Sequence, residues 1–517
     1  MAGLRRVFGV GRCEWGASRV MGCGRVAARS ATGVSIRPMS SLWKLTHGSF
    51  DFETDMHTEM AGIARPDSER AKVRIGAEGM RVSRLANGAK VCSFELQGTD
   101  ACVALGVRAG TRWTNAVSGG IPHIMSAMAF LGSKDLSKVR AVRSLENMGV
   151  RTHSHVEREN ILYSLNSQRS ASSLLDGTRM MIESALNPLF MHALDEPGAS
   201  DSIRAYANQL AQFFLDRRHV SPADAVIDSL HAVAYGDFAL GVPLYADARQ
   251  LMTAADNLDH LLEYRNAWIS GPRLALVGVN VPHEELESCA KESALVGAPS
   301  ADSSVSEPSR WVGGSRKVSS GAGASVAFGF DVEVLASSKA KPADIAPVLV
   351  LQALINSGKA GALASSVCGA SDSLLNDGVT TSAHLGSYAD AGIFSMVAQS
   401  RSASNTNALV SGMGSAVRAL SLPSSETIEA TKKRVACSLY SSRESSTTVA
   451  REAASLLAAG VPFTATNELV SAVKAVTAPQ LEGLVGYLKS QTFPAIAVHG
   501  ETFNSITYDE AKALLVA

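Results

Sequence analysis

Residues Ser118–Ser137 read Ser-Gly-Gly-Ile-Pro-His-Ile-Met-Ser-Ala-Met-Ala-Phe-Leu-Gly-Ser-Lys-Asp-Leu-Ser. A small-residue turn leads into His123, and Ile124, Met125, Met128, Phe130 and Leu131 follow at helical spacing. The spacing predicts a helix with an apolar face and a histidine near its start. Such a helix holds a metal when a second ligand stands four positions on, because residues i and i+4 project from the same face. Here that position is Ala127, which has no donor atom. The position before it is Ser126, which cannot take a proton from water near neutral pH. His123, Ser126 and Ala127 therefore make a degenerate site, from which no catalysis, metal or cofactor is expected.

Upstream of this helix, Val82 to Leu96 holds Asn87-Gly88 between two alternating runs, the signature of a β-hairpin. Ala101 to Val107 reads as a further apolar strand. Downstream, a helix is predicted around Val139 to Met148, with Gly149 as its cap. Strands over Val150–Glu157 and Ile161–Asn166 and a helix over Ser172–Leu186 come next. Residues 200–270 are helical in pattern, with Ile203, Ala207, Leu210, Phe213 and Phe214 on one face and a further helix over Leu251–Trp268. A buried strand after Pro272 closes the half. Strands, then helices, then a closing strand predict an α+β unit with helices packed on a mostly antiparallel sheet.

The second half echoes the first. Asn147-Met-Gly-Val-Arg-Thr-His-Ser-His matches Asn376-Asp-Gly-Val-Thr-Thr-Ser-Ala-His, and Arg169-Ser-Ala-Ser recurs as Arg401-Ser-Ala-Ser. Late in each half a Leu…Tyr helix precedes a strand, after Pro272 and after Pro494. Matches in the same order at nearly the same offset predict an internal duplication. A Ser/Pro/Gly-rich stretch marks the boundary. The expected organisation is a leader over 1–39, an N-terminal segment over 40–79, a first unit over 80–296, a linker over 297–318 and a second unit over 319–517.

Charge and cysteine usage narrow the classes. The 517-residue chain balances 48 Lys+Arg against 48 Asp+Glu, which argues against a nucleic-acid footprint. Residues 1–39 depart from that balance, with seven arginines, no lysine and one acid, Glu14. Such an arm suits a mitochondrial transit peptide cleaved after Met39, the alternative being a disordered basic arm. Without the arm, 41 basic residues face 47 acidic ones. The cysteines form no C-x-x-C, so Cys92, Cys102, Cys289, Cys368 and Cys437 are expected as buried free thiols. No apolar run reaches the roughly 18 residues of a membrane span. His153 and His155 share one face of a strand, a solvated face or, with Glu157, a metal pair; Gly358-Lys-Ala-Gly does not satisfy the phosphate-loop pattern.

Taken together, these motifs resemble one family. They are the arm, the paired α+β halves, Gly-Ile-Pro-His-x4-Met-Ala-Phe-x-Gly-Ser, Glu157-Arg-Glu-Asn, Asn187-Pro-Leu-Phe and Trp311-Val-Gly-Gly-Ser-Arg. The chain resembles the pitrilysin-type zinc peptidases, whose helix motif is H-x-x-E-H. Within them it is similar to the branch of processing-peptidase α subunits and core protein 2 of ubiquinol–cytochrome c reductase (complex III), over about residues 80–510. The resemblance implies a third ligand, a glutamate, where this chain has Asp201-Ser-Ile-Arg-Ala-Tyr-Ala-Asn-Gln-Leu, with Asp195 and Glu196 just upstream. It also implies a glycine-rich loop for presequences where this chain has Leu351 to Ala364, with only Gly358 and Gly361 in that loop. With both features altered, the resemblance implies a non-catalytic core subunit on the matrix side of the mitochondrial inner membrane. Its partners would be a β/core-1-like homologue and other complex III subunits. The alternative is a presequence-binding α subunit of the processing peptidase, or both roles in one protein.

Overall fold

Gly88 takes a left-handed φ of +89°, which an L side chain resists and this turn requires. β1 (Arg81–Arg84) therefore folds back on β2 (Lys90–Phe94), with Arg84 opposite Lys90. The computed structural model describes residues 80–516 except 97–99, 116–117, 131–136, 168–170, 189–198, 221, 301–307, 322, 339, 358–366, 368–373 and 375–376. The arm, the segment 40–79 and the glycine-poor loop thus lie outside the described residues.

β3 (Ala101–Val107) leads to α1 (Ile121–Met128) and α2 (Lys138–Met148). Gly149, at φ 68°, ends α2 by donating its N–H to the last carbonyls. The antiparallel pair β4 (Arg151–Val156) and β5 (Ile161–Ser167) is next in the chain. Then come five helices, α3 (Ala171–Leu186), α4 (Ala199–Val220), α5 (Pro222–Tyr235), α6 (Ala248–Asp256) and α7 (Leu258–Trp268). β6 (Leu274–Val279) returns between β2 and β3, giving the order β1-β2-β6-β3-β5-β4, and α8 (His283–Lys291) comes after it.

The second sheet is built from β7 (Gly314–Ser319), β8 (Ala324–Asp331), β9 (Thr380–Ser387), β10 (Gly392–Ser400) and β11 (Ala495–Gly500). Its order is β7-β11-β8-β10-β9. β11 runs parallel to β7 and antiparallel to β8, as β6 does to β2 and β3. Five strands of the first sheet thus have counterparts in order and direction. Gly378, at φ 69°, leads into edge strand β9 as Gly149 leads into edge strand β4, at the place where the sequence repeats. Helix α9 (Pro342–Asn356) precedes β9. Between β10 and β11 lie α10 (Thr406–Arg418), α11 (Ser425–Ser442), α12 (Ser446–Ala458), α13 (Thr466–Ala475) and α14 (Ala478–Ser490), and α15 (Tyr508–Val516) ends the chain.

Each sheet carries its own helices on one face and a helix of the other half on the second face. On β3, Val103, Leu105 and Val107 point into the first half's own core, while Cys102 and Ala104 point towards α12. Val449, Ala450, Ala453, Ala454 and Leu457 of α12 cover that face. In return, Val226, Leu230 and Ala234 of α5 cover Ala327, Ile393, Val397, Ala495 and Ala497 of the second sheet. A fully buried Val or Leu contributes about 1.5–3 kcal/mol, so each exchanged helix is a substantial share of the fold's stability.

Several local readings differ from the structure. α1 ends at Met128, and Phe130 sits beyond it at φ 65°, its ring edge-on to Tyr163 at 6.5 Å; Leu131 lies outside the described residues. The stretch Leu251–Trp268 is two helices, because the Asn257 side chain accepts from the N–H groups of Asp259 and His260 and starts α7 afresh. Phe213 is 55% exposed rather than core. Glu157-Arg-Glu-Asn forms the turn after β4, not part of the strand. Cys92, Cys102 and Cys289 are buried free thiols, but Cys437 is exposed, and Cys368 lies outside the described residues.

The crossing of α12 over β3 leaves no room for a side chain at Gly106, where a methyl group would overlap the backbone carbonyl of Ala454. At its counterpart Gly329 the nearest atom is a movable methyl of Leu230, 3.0 Å from a Cβ. Gly106→Ala is expected to cost about 3 kcal/mol or block folding, and Gly329→Ala about 1 kcal/mol. Urea unfolding of the two variants side by side checks the order.

Candidate functional site

Gly120 opens α1 in the left-handed region at φ 89°, and Pro122 occupies its first turn. Ile121, Ile124, Met125 and Met128 anchor the helix in the core. His123 is 6% exposed. Its Nε2 lies 2.6 Å from the Leu244 carbonyl oxygen, which only accepts, so this nitrogen carries the proton. The Tyr245 ring stacks on the imidazole at 6.4 Å. Burial pushes the His123 pKa down to about 4, with the Leu244 bond opposing and nearby His155 adding to the shift. The ring is therefore neutral at physiological pH.

Ser126 is buried one turn on, and its backbone carbonyl accepts from Ser154 Oγ of β4 at 2.9 Å. Ala127 is half-buried. On α4, Asp201 is exposed and Arg204 pairs with Asp256 at 2.5 Å, while Asp195 and Glu196 lie outside the described residues. Among the described residues no group of three or more His, Cys, Asp or Glu is arranged to hold a metal. A catalytic zinc takes three protein ligands and a water. The motif positions offer one imidazole, whose Nε2 is committed to a carbonyl, so these residues do not fit a catalytic zinc.

The site borders a cavity of about 990 Å³ between the edge strands β4 and β9. His153 and His155 of β4 lie in its wall with their rings stacked at 6.4 Å, side by side as the strand period requires. Glu157 also lines the cavity, and its carboxylate accepts from Ser455 Oγ of α12 at 3.0 Å. Burial raises the Glu157 pKa, against that hydrogen bond. From the second half, His384 and Tyr388 complete the wall.

The remaining residues of the Glu157-Arg-Glu-Asn turn tie the halves together. Arg112 Nη1 donates to Glu159 Oε1 at 2.7 Å, and the same guanidinium grips Asp390 of the second half with two bonds of 2.6 and 2.5 Å. The other Glu159 oxygen accepts the Ala389 backbone N–H at 2.9 Å. Burial pushes the Asp390 carboxyl up, but its bonds from Arg112 and the Ser309 N–H outweigh this and hold it below the usual range. Arg158 donates to Asp228 at 2.5 Å and to the carbonyls of Leu240 and Val242. Asp228 in turn accepts the Leu244 N–H at 2.8 Å. Arg158 therefore fixes the segment whose carbonyl holds His123. Nearby, the buried His231 of α5 bonds Tyr388 Oη at 2.8 Å. Sequence reading singled out the turn without a role for it and missed Arg112, Asp228, His231 and Asp390, whose partners are distant in the chain.

Known proteins place the chain. Residues 90–248 match the family described as Insulinase (Peptidase family M16). Over 329 residues it is 25% identical to "Probable mitochondrial-processing peptidase subunit alpha-1, mitochondrial" of Arabidopsis thaliana, covering 63% of this chain and 61% of that one. It is 27% identical over 228 residues to "Mitochondrial-processing peptidase subunit beta" of Bos taurus, 44% of each chain. It is 24% identical over 254 residues to "Cytochrome b-c1 complex subunit 2, mitochondrial" of Mus musculus, 48% of this chain and 52% of that one. The chain thus spans roughly half the length of the relatives it matches, and its similarity to α subunits and to complex subunit 2 supports that branch.

The geometry carries two expected outcomes. Arg112→Met strands two carboxylates inside the protein and is expected to cost about 3–5 kcal/mol, whereas adding Glu159→Gln and Asp390→Asn to it recovers part of the loss. Urea midpoints of the single and triple variants measure this. For His123, the folded pKa of about 4 lies below the unfolded value of 6.5, so the unfolded state binds the proton first and stability falls as pH drops from 6.5 towards 4. At pH 5 the loss from this group is about 2 kcal/mol relative to pH 7.5. His123→Phe is expected to be less stable at pH 7.5 and to lose less on acidification, read from unfolding curves at both pH values.

Proposed function

We propose that this chain is a non-catalytic, core-protein-2-like subunit of mitochondrial ubiquinol–cytochrome c reductase, acting in assembly and stability of the complex rather than in peptide hydrolysis. One observation carries the reading: His123 donates its ring N–H to the Leu244 carbonyl, and Ser126 and Ala127 stand where a base and a second ligand would be. In this reading α1 is a packing element, and the organisation is a first peptidase-like domain over 80–296, a linker over 297–318 and a second domain over 319–517. The similarity to mitochondrial relatives and the arginine-rich arm support a mitochondrial location, on the matrix side of the inner membrane. No helix of the described residues is long and apolar enough to cross a membrane, so attachment would run through partners, foremost a β/core-1-like homologue.

A second reading is the presequence-binding α subunit of the processing peptidase. It is favoured by the longer match to α subunits, 329 residues against 254 for complex subunit 2, and by the cavity between the two edge strands. Against it stands the Leu351–Ala364 stretch, whose loop has only two glycines, Gly358 and Gly361.

Native electrophoresis of the tagged chain from mitochondria separates these readings. Co-migration with cytochrome b and the iron–sulfur subunit is expected. Recovery only as a soluble heterodimer that cleaves presequences would transfer the chain to the second reading. Stoichiometric zinc with cleavage by the purified single chain would defeat both.

A further inference from the structure

The first sheet has one strand that the second lacks. β1 lies antiparallel on the outer edge of β2, whereas β7, the counterpart of β2, is the outermost strand of its sheet among the described residues. Gly314 and Ser320 donate their N–H groups to the carbonyls of Pro494 and Gly500, on the β11 side. A parallel ladder uses alternate residues of a strand, so Arg316 and Val318 also face β11. The N–H and C=O groups of Ser315, Lys317 and Ser319 therefore point away from the sheet, and all three residues are exposed. An open edge of this kind is a template for another strand.

Charged side chains often guard such edges. Here Arg316 turns to Asp237 at 3.4 Å and Lys317 to the Ser505 carbonyl at 3.0 Å, and as neighbours in a strand they leave it on opposite faces. Phe238 follows Asp237, and Phe503 stands two residues before Ser505, so the segments carrying these rings reach β7 from its two faces. The rings are 81% and 92% exposed, the highest values among the large hydrophobic side chains of the described residues. An added strand sends alternate side chains to both faces and can cover both rings. β7 itself carries two basic residues and no acid, and the exposed Arg310 lines the same cavity as Phe238. The Arg316–Asp237 pair is exposed at both ends and so contributes little, while the Glu510 carboxylate near Lys317 is already held by the Thr507 N–H and Oγ1 at 2.8 Å. A carboxylate on the incoming strand complements this edge. A second copy of the chain does not: the antiparallel register that uses all three outward residues sets Lys317 opposite Lys317, and like charges directly opposite are destabilising.

We propose that the outer edge of β7 takes a sixth strand, antiparallel as β1 is to β2, from a separate polypeptide whose extended segment carries apolar side chains and carboxylates. The edge is independent of the role in complex III, so a result in either direction leaves that reading standing. The probe is a fluorescein-labelled peptide, Thr-Val-Glu-Val-Val-Glu-Val-Thr, titrated into the full chain with anisotropy as the readout. Saturable binding is expected, about tenfold weaker with lysine in place of glutamate and about tenfold weaker with alternate peptide nitrogens methylated. Hydrogen exchange should show the Ser315, Lys317 and Ser319 amides open in the free chain and protected in the complex. Lys317→Pro removes an outward N–H without taking a donor from the ladder, a change edge strands tolerate, and should weaken binding about tenfold. Should it fail to fold, Phe238→Ala combined with Phe503→Ala, both at exposed positions, carries the same comparison. Absence of saturation overturns the proposal, as does equal binding of either control peptide or a titration unchanged by the variant. Outward amides already protected in the free chain overturn it too, and a dimer that Lys317→Pro dissociates gives the edge to a second copy instead.

Discussion

The exchange of α5 and α12 is the constraint on which the rest depends. A sheet with apolar side chains on both faces needs cover on both, and each half supplies only one cover for itself. Cys102, Ala104 and Gly106 make the first sheet's second face flat enough for α12 to lie close, and Ala327 and Gly329 do the same for α5. Small residues in a buried strand are otherwise wasteful, since they give up apolar area. Here they let a helix approach until the Ala454 backbone touches the strand, so the two sheets are completed together.

Apolar faces hold the halves together but say little about register, and the polar seam supplies it. Arg112 with Asp390, His231 with Tyr388, and Ser229 with His499 at 2.8 Å each join residues more than 150 positions apart and cross from one half to the other. Buried ion pairs give little net stability, because desolvation offsets most of the attraction. Their value is that any slip leaves a charge unpaired at a cost of several kcal/mol. The apolar faces thus provide the energy of association, and the seam selects one arrangement.

Much of this was legible in the sequence where the signal is local. Asn87-Gly88, Gly149 and the all-buried run Ala101–Val107 each obey a short-range rule, and the structure matches them closely. The repeat around His155 and His384 was visible because two left-handed glycines fix the entry to each edge strand. What escaped was non-local or depended on a single cap. Asn257 breaks a helix that its apolar period continues through, and Phe130 leaves its helix although its spacing fits. Arg112 and Asp390 stand 278 residues apart, and no pattern within either segment announces the other. At the candidate site, the substitutions at Ser126 and Ala127 could be read directly, but the partner of His123 could not.

That partner gives His123 a structural place that needs no metal. If zinc chemistry is absent, His123 is released from any demand to bind a metal, yet its ring still fills a buried position and must satisfy its N–H. Leu244 provides the acceptor, Asp228 holds Leu244, and Arg158 holds Asp228. Arg158 sits in the same turn as Glu157 and Glu159, which reach α12 and the β9–β10 turn of the second half. The histidine is thereby one end of a hydrogen-bonded chain that begins at the seam between the halves. A small apolar residue at position 123 would leave the Leu244 carbonyl and the Tyr245 ring without their contact. Packing and hydrogen bonding alone are sufficient to account for a histidine at this position.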